Sequence, residues 1–130
     1  MSGSCPHPPH ALGRAGEEAA ARFLQARGLR VLERNLRTAA GELDLVCEAA
    51  EGTLVFVEVK ARGPERSLEE ALAAVTPARQ RRLARAALAY MAERFGCERG
   101  ARFDVVAVGR GEDGALTVLA HLEHAFSCDG

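Results

Sequence analysis

Apolar positions along this chain follow two periods. Between Gly13 and Arg27, Ala15, Ala19, Arg22 and Phe23 recur at three- and four-residue spacings with Ala20 and Leu24 beside them, which predicts a helix ended by Gly28. From Leu29 the period becomes two. Strands are predicted over 29–34, 42–47 and 53–62, joined by turns at Gly41 and over 48–52, so that they form a three-stranded antiparallel meander. Gly63-Pro64 breaks the run, and Ser67-x-x-Glu70 is a capping-box pattern opening a short helix to about Val75. Thr76 as N-cap and Pro77 as first helical residue open a longer helix to about Phe95, with Leu83, Ala84, Ala87, Leu88, Met91 and Phe95 as its apolar stripe. Two further strands follow, 102–108 and from Leu116 to about Leu122, separated by a turn at 112–114. Residues 1–12 carry three prolines and little to bury, and read as a mobile tail before a single domain over 13–130. The expected fold is α/β: a mixed five-stranded sheet, the meander plus two strands, flanked by helices.

Charge interrupts the pattern at its centre. Alternation puts Phe56, Glu58 and Lys60 on one face of the third strand and Val55, Val57 and Val59 on the other. Glu42, Asp44 and Val46 likewise share a face, so Leu43, Leu45 and the three valines are expected beneath the sheet and the charges above it. Asp44 and Glu58 then lie on adjacent strands, a few Å apart, close enough to share one cation. Carboxylates in a partly dry site are costly unless paired or metal-bound, which makes the group a candidate site; the plain alternative is an amphipathic hairpin with its polar face in water. Composition sharpens the point, because the chain has 16 arginines and one lysine, Lys60. Lysine is a compact charge whose pKa can be shifted, unlike the guanidinium.

The 130 residues are 48% hydrophobic and 27% charged, in the range of soluble globular domains. No apolar run approaches the roughly 20 residues of a membrane span, and neither a basic nor an apolar N-terminal segment suggests secretion. Cys5, Cys47, Cys97 and Cys128 are dispersed with no C-x-x-C pair, and are expected to be reduced thiols of a cytoplasmic protein. Cys5, His7 and His10 are metal-ligand types on a segment without a rigid frame. The net charge of -1 gives no general attraction to nucleic acid, so such binding needs a local patch. One exists: the helix from Pro77 holds Arg79, Arg81, Arg82, Arg85 and Arg94 against Glu93, a charge of +4 against -5 elsewhere. Most of these arginines lie in its N-terminal half, where the helix dipole disfavours them, and they fit either a solvated face or a phosphate-facing one. Glu17 and Glu18 suit the dipole at the start of the first helix without any function. His121 and His124, three apart on a strand, are expected on opposite faces as surface or packing residues.

An ordered set of motifs links these pieces: Gly13-x-x-Gly16-Glu17-x-x-Ala20, Arg34-Asn35-x-Arg37, Gly41-Glu42-Leu43-Asp44-Leu45, Phe56-Val57-Glu58-Val59-Lys60-x-Arg62, Ala74-Val75-Thr76-Pro77 with Gln80, and Arg102-Phe103-Asp104-Val105-Val106. Together, over about residues 13–126, they resemble the YraN-like endonuclease-related proteins, which are similar to archaeal Holliday junction resolvases within the PD-(D/E)XK nuclease superfamily. The resemblance implies a restriction-endonuclease-like core and an endodeoxyribonuclease acting on structured or branched DNA in repair or recombination. It implies that Asp44, Glu58, the Val59 carbonyl and Glu17 bind Mg²⁺ or Mn²⁺, that Lys60 orients or activates water, and that Gln80 lies at the edge of the centre. Arg37, Arg62, Arg79, Arg81 and Arg82 are then the candidates for phosphate contacts, and related resolvases suggest a homodimer. Two positions depart from the pattern: Leu43 stands where the superfamily has proline, and Arg79 stands where a lysine is expected. The alternative on the same fold is a non-catalytic nucleic-acid-binding or scaffolding protein.

Overall fold

The computed structural model describes residues 8–61, 73, 75–97, 99–110 and 113–126. Helix α1 (Pro8–Ala26) precedes strands β1 (Arg30–Thr38), β2 (Gly41–Glu48) and β3 (Leu54–Ala61); helix α2 (Pro77–Phe95) then leads to β4 (Ala101–Arg110) and β5 (Leu116–Phe126). α1 starts five residues before the expected Gly13, so residues 8–12 belong to the helix and not to a tail. Proline is compatible with a first turn, where its missing N–H would have had no intrahelical partner. The rest of the expected tail, with Cys5 and His7, and the expected helix opening at Ser67 lie outside the described residues.

The sheet is ordered β1-β2-β3-β4-β5. All neighbours are antiparallel except β3 and β4, which run parallel because the connection between them passes through α2. This is the expected mixed five-stranded sheet with a meander. β1 runs four residues beyond its expected end, through Asn35 in the left-handed region at φ 50°. Asparagine tolerates that conformation, and an edge strand can keep polar residues in water.

Both faces of the sheet are buried. On one, Leu83, Ala86, Ala87, Tyr90 and Met91 of α2 pack on Leu43, Val46, Leu54, Phe56, Phe103 and Val105. On the other, Ala20, Ala21 and Leu24 of α1 pack on Leu45, Cys47, Val55, Val57, Val106 and Val108. The expectation that Leu43 and Leu45 share a face is therefore corrected: alternation breaks at Asp44. The β2–β3 pairing runs from Glu48↔Leu54 to Leu45↔Val57, and beyond it the Asp44 carboxylate, not a strand carbonyl, accepts the Val59 N–H at 2.9 Å.

Two local features fix the helices that flank this point. α2 starts as its sequence predicts, with Thr76 Oγ1 accepting from Arg79 N–H at 3.1 Å and Pro77 following; it ends at Gly96, φ 75°, whose N–H donates to Ala92 O. α1 lies close to the sheet at Gly16, where a Cβ would stand 2.9 Å from Val108 Cγ2. The glycine allows that approach, and the next residue is Glu17.

Candidate metal and phosphate site

Asp44, Glu58 and Lys60 meet where β2 and β3 part. Glu58 is 4% exposed, yet its carboxylate lies between two cations. Lys60 Nζ, two residues along the same strand, is 3.2 Å from Oε2. Arg79, from the first turn of α2, brings Nε to 3.3 Å from Oε2 and Nη2 to 3.3 Å from Oε1. The shared face of Glu58 and Lys60 is thus as alternation predicts. Asp44 faces the same charge from β2. Burial, and then the negative charge of Glu58, raise its carboxyl to about 7, against the opposing effects of the Val59 hydrogen bond and Arg79.

Glu17 reaches this group from α1. Its carboxyl is raised above the usual range by burial, against a hydrogen bond to Asn35, with Glu42 and Glu58 adding to the rise. Its Oε1 is buried without a hydrogen-bond partner. Three carboxylates from α1, β2 and β3 therefore influence one another, although only one of them is fully paired.

The other expected members are distributed differently. The Gln80 side-chain amide donates to the Val75 carbonyl at 3.0 Å and so braces the start of α2; no hydrogen bond joins it to the carboxylates. Arg37 pairs with Glu42 at 3.0 Å in solvent. Arg81 and Arg82 are exposed on α2, and Arg62 lies outside the described residues. Arg79, a candidate for phosphate, turns instead to Glu58.

A second polar cluster escaped the sequence reading. Asp104, fully buried on β4, accepts from Arg102 Nε and Nη2 at 3.1 and 3.2 Å and from the His124 N–H at 3.2 Å; His121 Nε2 lies 2.8 Å from it. His121 is the packing member of the expected pair, its side chain 4% exposed, while His124 is exposed and contributes its backbone N–H. His124 has φ 53° and the β4–β5 register shifts nearby, so the His121 ring and the His124 backbone reach the same carboxylate. An aspartate inside the apolar run Phe103–Val108 was the available signal.

Among the described residues, no three His, Cys, Asp or Glu side chains are gathered in a ready metal cage. The donor set nonetheless fits a hard divalent cation: carboxylate oxygens of Asp44 and Glu58 on neighbouring strands, and the buried, unpartnered Glu17 Oε1. Mg²⁺ and Mn²⁺ take such oxygens and retain waters, so two or three carboxylates suffice. Burial is the first cause of the raised Asp44 and Glu17 carboxyls, and the neighbouring carboxylates add to the rise.

Comparison with known proteins gives the following. The family model described as "Uncharacterised protein family UPF0102" matches residues 16–108. A UPF0102 protein of Ralstonia pickettii (strain 12J) is 51% identical over 122 residues, 92% of each chain. Another, from Symbiobacterium thermophilum, is 52% identical over 106 residues, 81% of this chain and 87% of the relative. Among solved structures, a repair endonuclease from Pyrococcus abyssi matches 74% of this chain with TM-score 0.41 and 19% identity, this chain spanning 38% of it. Pyrococcus furiosus SfsA, solved with Ca²⁺, matches 88% with TM-score 0.40 and 15% identity, this chain spanning 64% of it.

Proposed function

The chain belongs to the uncharacterised protein family UPF0102, and from that premise we propose that it is a metal-dependent endodeoxyribonuclease of the PD-(D/E)XK type, YraN-like, hydrolysing phosphodiester bonds in structured or branched DNA during repair or recombination. One observation carries the reading. Asp44, with its carboxyl raised to about 7, stands beside the Glu58–Lys60 pair at the point where two strands part. Folding stability gives no reason to gather two carboxylates at this point of a sheet whose buried residues are mainly apolar.

In this reading Asp44, Glu58 and Glu17, with the Val59 carbonyl, hold Mg²⁺ or Mn²⁺. Bound there, the cation supplies Lewis-acid activation of the phosphoryl oxygen and of a water. Lys60 orients that water and offsets negative charge developing on the phosphate. Asp44 is kept in place by the Val59 N–H, which fixes its Oδ2. Arg81 and Arg82, exposed on α2, contact backbone phosphates, which carry affinity without sequence information.

A second reading, a non-catalytic nucleic-acid-binding or scaffolding protein on this fold, is favoured by the pairing of Glu58 with both Lys60 and Arg79, since a satisfied carboxylate can serve structure alone. One experiment separates the two. Purified protein is incubated with duplex, flap, fork and four-way-junction DNA in Mg²⁺, Mn²⁺ or chelator. The nuclease reading expects metal-dependent nicking that Glu58→Ala abolishes. Binding without cleavage in either metal supports the scaffold, and equal cleavage by the variant exposes a contaminant.

A further inference from the structure

Glu58 is held by two cations that differ in freedom. Lys60 is on the same strand, with its side chain 24% exposed, and approaches one oxygen. Arg79 comes from another element, 21 residues on, with its side chain 30% exposed, and grips both oxygens. Its backbone is fixed by the Thr76 cap, so the guanidinium can turn outward without disturbing α2. While the fork is in place, it occupies both oxygens that a metal would need.

Charge makes the arrangement unusual. The first turn of a helix favours anions, so a cation there stands against the dipole unless a carboxylate or phosphate accompanies it. Glu58, in turn, is buried beside Asp44, and without a cation the two carboxylates would repel in a partly dry site. Each group thus answers the other's need. A DNA phosphate arriving at the α2 N-terminus would compete for the same guanidinium.

We propose that Arg79 is a stand-in cation: it occupies Glu58 until a nucleic-acid phosphate draws the guanidinium off, freeing the carboxylate for the divalent metal, so that metal and DNA binding are coupled through this positioning residue. The proposal rests on the nuclease reading, and its test distinguishes the two. Mn²⁺ is titrated into the full chain without DNA, and bound ion is read from loss of the free Mn²⁺ electron paramagnetic resonance signal. Arg79→Ala should tighten Mn²⁺ binding about tenfold, the scale of one charged hydrogen-bonded contact removed from competition. Arg79→Lys, which cannot fork, should fall between, and serves if the alanine variant loses its circular dichroism spectrum. Glu58→Gln should abolish the binding. Adding a short duplex should tighten Mn²⁺ binding more in the wild type than in Arg79→Ala, because coupling through Arg79 is reciprocal.

Unchanged or weaker Mn²⁺ affinity in both Arg79 variants, with binding still lost in Glu58→Gln, would overturn the stand-in role and leave the metal site intact. Absence of Mn²⁺ binding in the wild type and in the Arg79 variants alike would overturn both.

Discussion

Asp44 is a carboxyl group that folding alone would not choose. Its pKa of about 7 means that ionisation is opposed in the native protein, first by burial and then by Glu58. Below the unfolded value of about 3.9 both states are protonated and nothing is lost. As pH rises to about 7 the unfolded chain releases a proton that the folded chain keeps, so stability falls; above that it stays low by an amount on the order of a few kcal/mol. Asn can still accept from Val59 N–H and carries no charge. Asp44→Asn should therefore exceed the wild type in urea unfolding free energy at pH 8 and match it near pH 4. Equal stability at pH 8 would remove the argument that this residue is kept against stability. Asp44, Glu58 and Lys60 were legible as charges inside apolar strands. The roles of Arg79 and Gln80 were not, because an arginine's partner 21 residues away and an amide folded back on its own helix turn leave no period in the sequence.

At the scale of elements, strand alternation served for β3, whose registry with β4 is regular, and failed where the backbone leaves regular geometry. Asn35 and His124 both have positive φ, and a side chain, not a carbonyl, meets the ladder at Asp44. Those departures turned Leu43 to the α2 side and drew His121 onto Asp104, neither of which counting by twos can foresee. The capping chemistry of α2 was readable because Thr76-Pro77 and Gly96 act locally. Asp104 ties β4 to β5 through the His121 ring and the His124 N–H, and its fully buried carboxylate also pairs with Arg102 of its own strand. Removing it leaves a guanidinium largely without its partner, so Asp104→Ala should lower unfolding free energy by about 3–5 kcal/mol, measured by denaturant titration. A loss under about 1 kcal/mol would mean that water replaces the network.

Among the described residues, α1 and α2 lie on opposite faces of a mixed sheet, with the charged group where β2 and β3 part. α1 can bring Glu17 to that group because Gly16 lets the helix lie against Val108. The mixed sheet and its meander followed from element order, since a helix between β3 and β4 permits a parallel pair and the short turns before it do not. The near-zero net charge with a basic α2 fits a protein that engages phosphate at one place and not over its surface. Among the described residues no helix is long and apolar enough to cross a membrane.

Under the proposed function this charged group acts in DNA hydrolysis, and Lys60 is its most selective probe, being the chain's one lysine and set beside Glu58. Single-turnover cleavage of a four-way junction or flap in Mn²⁺ should proceed in the wild type. In Lys60→Ala it should fall by about 10²-fold or more, the scale of a lost general acid–base or charge-stabilising group, while DNA binding persists. Equal single-turnover rates for the two proteins would contradict the account.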